Sequence, residues 1–314
     1  MVIAITHENA NRRLDKFLFA YLNNAPHSFI YKMLRKKRIK LNGARAQGNE
    51  LLQEGDELRL FLSEETIEGC RKARNFAEAK PLTGIIFEDE NLLIVNKPVG
   101  LPSQGDGKTT DHLLARVLYY LQESGAYNPT ADFTPAICNR LDVNTSGLVI
   151  CGKTLHALQA VNALFATRDA IKKEYLAVAN GIAGKVGETR TLEGYYHKNE
   201  KTNTAKIFTT PQEGMKIAIT KFTVLAVSKN HSLLSVSPIT GRSHQIRAHL
   251  ASIGFSLVGD KKYGDSSRHA SMQLLHCRCL EIMQDFLSYP KGTTWEAPPP
   301  KEMTDCINKL FTTP

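Results

Sequence analysis

A carboxylate on a turn directly before an apolar strand is well placed for chemistry, because the strand holds rigid what the turn exposes. Such an arrangement stands at Asn139-Arg140-Leu141-Asp142-Val143-Asn144-Thr145-Ser146-Gly147, followed by Leu148, Val149 and Ile150. Asn144 to Gly147 read as a turn and Leu148–Cys151 as a strand entering the core. An ionised carboxylate in this position can act as nucleophile or as general base. Taken alone, Asp142 reads first as an aspartate capping the turn or pairing with Arg140.

Three further segments carry polar groups beside apolar ones. Thr240-Gly241-Arg242-Ser243-His244-Gln245-Ile246-Arg247-Ala248-His249-Leu250 reads as the start of a helix running from His244 to Ile253. Ile246, Leu250 and Ile253 form its buried face, and Arg247 lies one turn from His244. Glu90 to Gly105 gives a strand, then Asn96-Lys97-Pro98 and a Gly/Pro loop; Lys173-Glu174-Tyr175-Leu176-Ala177 is followed by Gly181. A phosphate loop at Gly107-Lys108-Thr109 is excluded, because the required glycine five places earlier is Pro102, which has no amide to donate. His244 and His249 are five apart and face different sides of a helix, so no metal pair is expected. Gly-x-Ser-x-Gly is absent. Paired carboxylates for sugar hydrolysis need only meet in space, so that reading stays open.

These segments need a scaffold, and the chain divides into a small unit and a large one. Leu14, Phe17, Leu18, Tyr21 and Leu22 recur at helical spacing, a turn follows at Asn23–Pro26, and Phe29, Ile30, Met33 and Leu34 predict a second helix. Asn42-Gly43 signals a hairpin, and Leu58, Leu60 and Leu62 alternate as in a strand. Between Lys32 and Arg45 there is no acid, while Lys32, Arg35, Lys36, Lys37, Arg38 and Lys40 are all cationic. Cations suit a helix C-terminus, but a run without acids suits RNA phosphates better. Residues 1–62 are therefore read as one domain, 63–80 as a partly helical linker rich in Glu, Lys and Arg, and 81–314 as the larger domain. Strand-like runs at Leu92–Val95, Leu148–Cys151, Phe222–Val227 and Leu233–Val236 mix with helical segments at Asp111–Leu121, Leu155–Phe165 and His244–Ile253. The fold class predicted is α+β: a mainly antiparallel central sheet flanked by helices and loops, plus the small N-terminal α/β domain.

With 40 Lys and Arg against 31 Asp and Glu, the net charge of +9 favours a polyanionic partner. No apolar run is long enough to span a bilayer and no secretory signal is evident, so a cytoplasmic protein is expected, its six cysteines reduced. Cys138 is read as a small buried hydrophobe, not a nucleophile. No obvious oligomerisation helix is present, so a monomer is expected.

In order and spacing, the segments resemble the RluA family of pseudouridine synthases. The resemblance covers roughly Pro81 to Pro300. It rests on N-K-P-V-G-L-P at 96–102, R-L-D at 140–142 with T-S-G at 145–147, K-x-Y-L-A at 173–177, T-G-R-x-H-Q-I-R-x-H-L at 240–250, G-D-x-x-Y-G at 259–264, L-H at 275–276 and A-P-P-P at 297–300. The N-terminal unit, with R-L-D-K-F-L at 13–18, K-R-I-K-L-N-G at 37–43 and G-D-E-L at 55–58, resembles the S-four RNA-binding domain first described in a small-subunit ribosomal protein. The sequence departs from the family at Asn139, where histidine is usual, and at Ser103 and Gln104, where an aliphatic residue and histidine are frequent.

The resemblance implies that uridine is cut from its ribose, rotated and rejoined through carbon, with no metal, cofactor or nucleotide. It implies Asp142 as the catalytic carboxylate, Arg247 as the cation beside it, and Tyr175 as the aromatic that stacks on the base and shields or relays the ring proton. Arg140 would enter the gap left by the flipped base, since its flat cation stacks on bases. Arg242 and His244 join it as RNA-binding residues. Ribosomal RNA of the large subunit is the expected partner, with transfer RNA as the alternative. Two competing readings are an RNA-binding ribosome-assembly factor without activity, and a carboxylate-pair hydrolase, which would act on sugars and need no basic N-terminal unit.

Overall fold

The computed structural model describes residues 1–314 apart from 72–75, 77, 108, 130, 132, 168, 266–268 and 312–314. Lys108 of the excluded phosphate loop, part of the expected 63–80 linker and the last three residues of the expected 81–314 domain lie outside the described residues.

In the N-terminal unit, the strands are β1 (Val2–Ala4), β2 (Ile39–Leu41), β3 (Ala44–Arg45) and β4 (Glu57–Leu60), and the helices are α1 (Leu14–Tyr21) and α2 (His27–Arg35). The sheet is antiparallel in the order β1-β4-β2-β3. Leu14, Phe17, Leu18, Tyr21 and Leu22 are buried with Ile30, Leu34, Ile39, Leu58 and Leu60 in one core. Asn42 and Gly43 connect β2 to β3 with φ of 50° and 78°, the positive values that a two-residue hairpin of this twist requires. Helix α3 (Glu64–Gly69) follows, with Ser63 Oγ accepting from Thr66 N–H at 3.3 Å, and it sends Ile67 into the same core. The first part of the expected linker is thus a helix packed on the small unit. A single buried apolar residue in an acidic stretch leaves no periodicity to read.

The large sheet is built from β5 (Ile85–Glu88), β6 (Leu92–Lys97), β7 (Ala136–Ile137), β8 (Ser146–Gly152), β9 (Ile171–Asn180), β10 (Thr189–Asn199), β11 (Thr204–Phe208), β12 (Lys216–Val227), β13 (His231–Pro238), β14 (Leu275–Ile282) and β15 (Thr294–Glu296). Its order is β11-β10-β12-β13-β9-β14-β8-β6-β5, with β7 on β8 and β15 on β14. Among the described pairings all are antiparallel except β14 with β8, which run parallel through His276↔Ser146 and Cys277↔Gly147. That pairing draws Ser146 and Gly147, expected in a turn, into β8. Gly147 has φ +117°, and a Cβ there would lie 2.2 Å from the Cys277 carbonyl oxygen, so glycine is required where the strands meet.

Helices α4 (Leu113–Glu123) and α5 (Leu155–Ala166) bury Leu113, Val117, Leu121, Ala157, Val161 and Leu164 against Leu92–Val95 of β6 and Leu148–Cys151 of β8. Each fully buried aliphatic side chain of this kind contributes roughly 1.5–3 kcal/mol. Helix α6 (Gln245–Ser252) packs Ile246 and Leu250 with Ala177, Phe222 and Leu234, and α7 (Lys301–Phe311) packs Met303 and Cys306 with Val178 and Leu274. The strand pairing β9-β14-β8 sets Tyr175 and the loop before β8 side by side.

Candidate active site

Asp142 lies on the loop entering β8, and its carbonyl accepts from Thr145 N–H at 3.0 Å to close the turn. The residues around it are clamped. Ser103 Oγ donates to the Leu141 carbonyl at 2.8 Å and accepts from Leu141 N–H at 3.1 Å. Lys97, fully buried at the end of β6, donates from Nζ to the carbonyls of Pro98 (2.9 Å), Leu101 (2.8 Å) and Val143 (3.0 Å). Burial pushes its ammonium down to about 7, against the opposing pull of Asp142. Asn139 donates to the Leu148 carbonyl at 3.1 Å and accepts from Ile150 N–H at 2.9 Å, so its amide bonds to the backbone of β8. Two of the three departures thus fix this region through backbone groups, Ser103 by those of Leu141 and Asn139 by those of β8.

Arg247 faces this loop from α6, a helix buried on nearly every side. Its guanidinium donates from Nη1 to Asp142 Oδ2 at 3.0 Å, and from Nε and Nη2 to Asp260 at 2.7 and 2.8 Å. Its planar fork is bidentate on Asp260, and Asp142 takes the remaining nitrogen. Arg140, which lines the cleft, is not the partner of Asp142 in an ion pair. Burial alone would lower the Arg247 pKa, but Asp260 and then Asp142 outweigh it and raise it. The guanidinium carbon also lies 4.8 Å from the centre of the Tyr263 ring. His244 caps α6 in the left-handed conformation (φ 54°), with Nε2 3.7 Å from Asp142 Oδ2. Burial lowers its pKa, partly opposed by Asp142.

Tyr175 and Lys173 sit two residues apart on β9 and line the same cleft. Burial pushes the Tyr175 phenol well above its ordinary range, beside the buried Cys277. The cleft encloses about 920 Å³ and is lined by Asp142, Tyr175, Arg247, His244, Arg140 and Arg242, with Lys173, Lys198, Lys261 and Lys262 adding positive charge. Arg140 and Arg242 are exposed on its wall. Cys138 also lines it, half-buried, with its thiol pushed up to about 12 by burial, which removes it as a nucleophile at neutral pH. His249 points elsewhere: its Nδ1 bonds Thr220 Oγ1 at 2.7 Å and burial lowers it to about 4. Among the described residues no group of three His, Cys, Asp or Glu could hold a metal ion.

The basic run is a separate feature on the N-terminal unit. Lys32, Arg35, Lys36, Lys37 and Arg38 are exposed at the end of α2 and beyond it, while Lys40 is half-buried with Nζ 5.5 Å from the Phe61 ring centre. Sequence reasoning missed Lys97, Asp260 and Tyr263 as site residues. All three stand inside motifs read as landmarks, but a lysine, an aspartate and a tyrosine give no hint of their partners until the chain is folded.

The family described as RNA pseudouridylate synthase matches residues 91–252, and the S4 domain matches residues 12–58. The chain is 30% identical over 271 residues to the ribosomal large subunit pseudouridine synthase C of Escherichia coli K12, covering 84% of this chain and 80% of that protein. It is 29% identical over 273 residues to the protein of that name from Haemophilus ducreyi, covering 86% and 81%. Among solved structures, human RNA pseudouridylate synthase domain containing 4 superposes with a TM-score of 0.55 at 21% identity, covering 72% of this chain and 92% of that one, a likeness of fold. Among the described residues no helix is long and apolar enough to cross a membrane.

Proposed function

Because the chain belongs to the RNA pseudouridylate synthase family, we propose that it converts uridines of large-subunit ribosomal RNA to pseudouridine and that Asp142 is the carboxylate responsible. The observation that carries this reading is the 3.0 Å contact between Asp142 and the buried Arg247 on the wall of a basic cleft. The reaction breaks the bond between the ribose anomeric carbon and N1 of uracil. It forms a bond from ribose to C5, and moves the C5 proton away as N1 gains one. The net change is an isomerisation, so no redox partner or nucleotide is consumed.

Asp142, one oxygen tied to Arg247, presents the other toward the cleft to act on the ribose. Tyr175, kept as a neutral phenol by burial, offers a flat face to the base rather than a phenolate. Flipping the target base leaves a gap in the RNA, and the exposed Arg140 beside Asp142 is suited to fill it. Full activity of Arg140→Ala on folded RNA would remove that role. Arg242 and His244 contact the RNA strand at the cleft, and Lys32, Arg35, Lys36, Lys37, Arg38 and Lys40 hold phosphates farther away. In this reading 1–62 is the RNA-binding domain, 63–80 the connection and 81–314 the catalytic domain. The enzyme works as a monomer in the cytoplasm, where bacterial ribosomal RNA is found.

The ribosomal preference rests on the relatives named for the ribosomal large subunit. The test is pseudouridine mapping of ribosomal and transfer RNA from cells with and without the gene, complemented by wild type or by Asp142→Asn. Loss of discrete ribosomal sites that only the wild type restores is expected. Loss confined to transfer RNA would move the substrate. No lost site, with tight RNA binding by the purified protein, would leave a non-catalytic binding protein.

A further inference from the structure

A hydrogen-bond chain leads to Asp142 from β11. The Ala205 N–H donates to the Tyr263 hydroxyl oxygen at 2.7 Å. The Tyr263 hydroxyl lies 2.9 Å from Nδ1 of His244, with the two rings edge to face. Since its oxygen already accepts from Ala205, its proton is available for Nδ1. A neutral imidazole that accepts at Nδ1 carries its own proton on Nε2. That nitrogen is the one 3.7 Å from Asp142 Oδ2.

Resting on the reading of Asp142 as the catalytic carboxylate, we propose that Tyr263 is a positioning residue that holds His244 in its Nε2–H tautomer. Oδ2 of Asp142 then faces two N–H donors, Arg247 and His244, and Oδ1 is left as the reacting oxygen. Among the described residues nothing hydrogen-bonds Oδ1. In the opposite tautomer a nitrogen lone pair would face the carboxylate and repel it. The charged groups around the imidazole are Asp142, Arg247, Lys262 and Asp260, with Tyr263 on Nδ1. Burial keeps His244 neutral, so its tautomer, not its charge, sets what Asp142 meets.

Tyr263→Phe removes the hydroxyl and frees His244 to place its proton on either nitrogen. Turnover of a saturating RNA substrate should fall about tenfold near pH 8, with KM little changed. The deficit should shrink only once the pH falls far enough to protonate His244, below the ordinary imidazole range because burial lowers its pKa, since a protonated imidazole carries N–H on both nitrogens whatever its tautomer. In a His244→Gln background the deficit should no longer vary with pH. Nitrogen NMR of the full-length protein labelled at histidine, with His244 assigned through His244→Gln, reads the tautomer directly. Nε2–H is expected in the wild type and a mixture in Tyr263→Phe. An Nδ1–H tautomer in the wild type, or a deficit that persists unchanged once the nitrogen shifts show His244 protonated, would overturn the proposal. Its failure is distinct from failure of the Asp142 reading, which turnover by Asp142→Asn would expose while leaving the nitrogen shifts informative.

Discussion

Replacing Asp260 by Asn tests whether the site depends on a buried counter-charge that never touches the substrate. The two side chains are nearly sealed from solvent, 6% exposed for Arg247 and 1% for Asp260, and are joined by two bonds of 2.7 and 2.8 Å. Asn keeps one acceptor oxygen but sets an NH2 against a guanidinium N–H, so one charge-assisted bond is lost and two donors face each other. Removing one member of a buried pair costs about 3–5 kcal/mol. Asp142 still neutralises part of the charge, which puts the expectation near about 3 kcal/mol. Urea unfolding followed by fluorescence measures it in the right domain, because the single tryptophan, Trp295, is buried in the catalytic core. Turnover should fall on the order of a hundredfold as the guanidinium shifts, with KM for RNA nearly unchanged. Arg247→Lys should lose turnover to a similar degree, since a single ammonium cannot bridge both carboxylates. A change in stability below about 0.5 kcal/mol for Asp260→Asn would refute the assigned role of the pair.

Lys97→Met leaves the carbonyls of Pro98, Leu101 and Val143 without a donor, and the loop carrying Asp142 should loosen. Lys97 is held near 7 in the folded chain and titrates near 10.5 when unfolded, so between these values the unfolded state binds the extra proton. Wild-type stability gained from this group therefore rises with pH above about 7, by at most about 1.4 kcal/mol per unit, and the gap to Lys97→Met should widen from pH 7 to 9 in urea titrations. A gap independent of pH would contradict the lowered lysine. Changing Lys32, Arg35, Lys36, Lys37 and Arg38 to Gln should flatten the dependence of RNA affinity on salt by up to about 0.7–0.9 in log–log slope per lost phosphate contact; an unchanged slope would remove the run from the RNA interface. Gly147→Ala should prevent folding or yield insoluble protein, because its Cβ would meet the Cys277 carbonyl at 2.2 Å; a soluble variant with wild-type stability would refute that constraint.

By itself the sequence determined the small unit's two helices and hairpin, because Leu14, Phe17, Leu18 and Tyr21 and the Asn42-Gly43 pair carry their structure in local spacing. Through the resemblance of its short motifs to a known family it also implied Asp142, Tyr175 and Arg247, and the apolar runs flanking those motifs form the strands and helix that position them. Only the tertiary structure decided the geometry of their pairing and brought in Asp260. Asp142 and Arg247 are 105 residues apart, and their contact exists because β14 joins β8 to β9 while α6 packs against β9, β12 and β13. Taken alone, Asp142 reads as a turn cap or a partner of Arg140, and the family resemblance implies Arg247; the fold brings Arg247 to Asp142 and gives its fork to Asp260. Nor could spacing show Lys97 to be a buried clamp, since a lysine reads as surface until three carbonyls converge on it. Periodicity reports which face of an element is buried, and the polar contacts that complete this site depend on which elements the sheet order brings together.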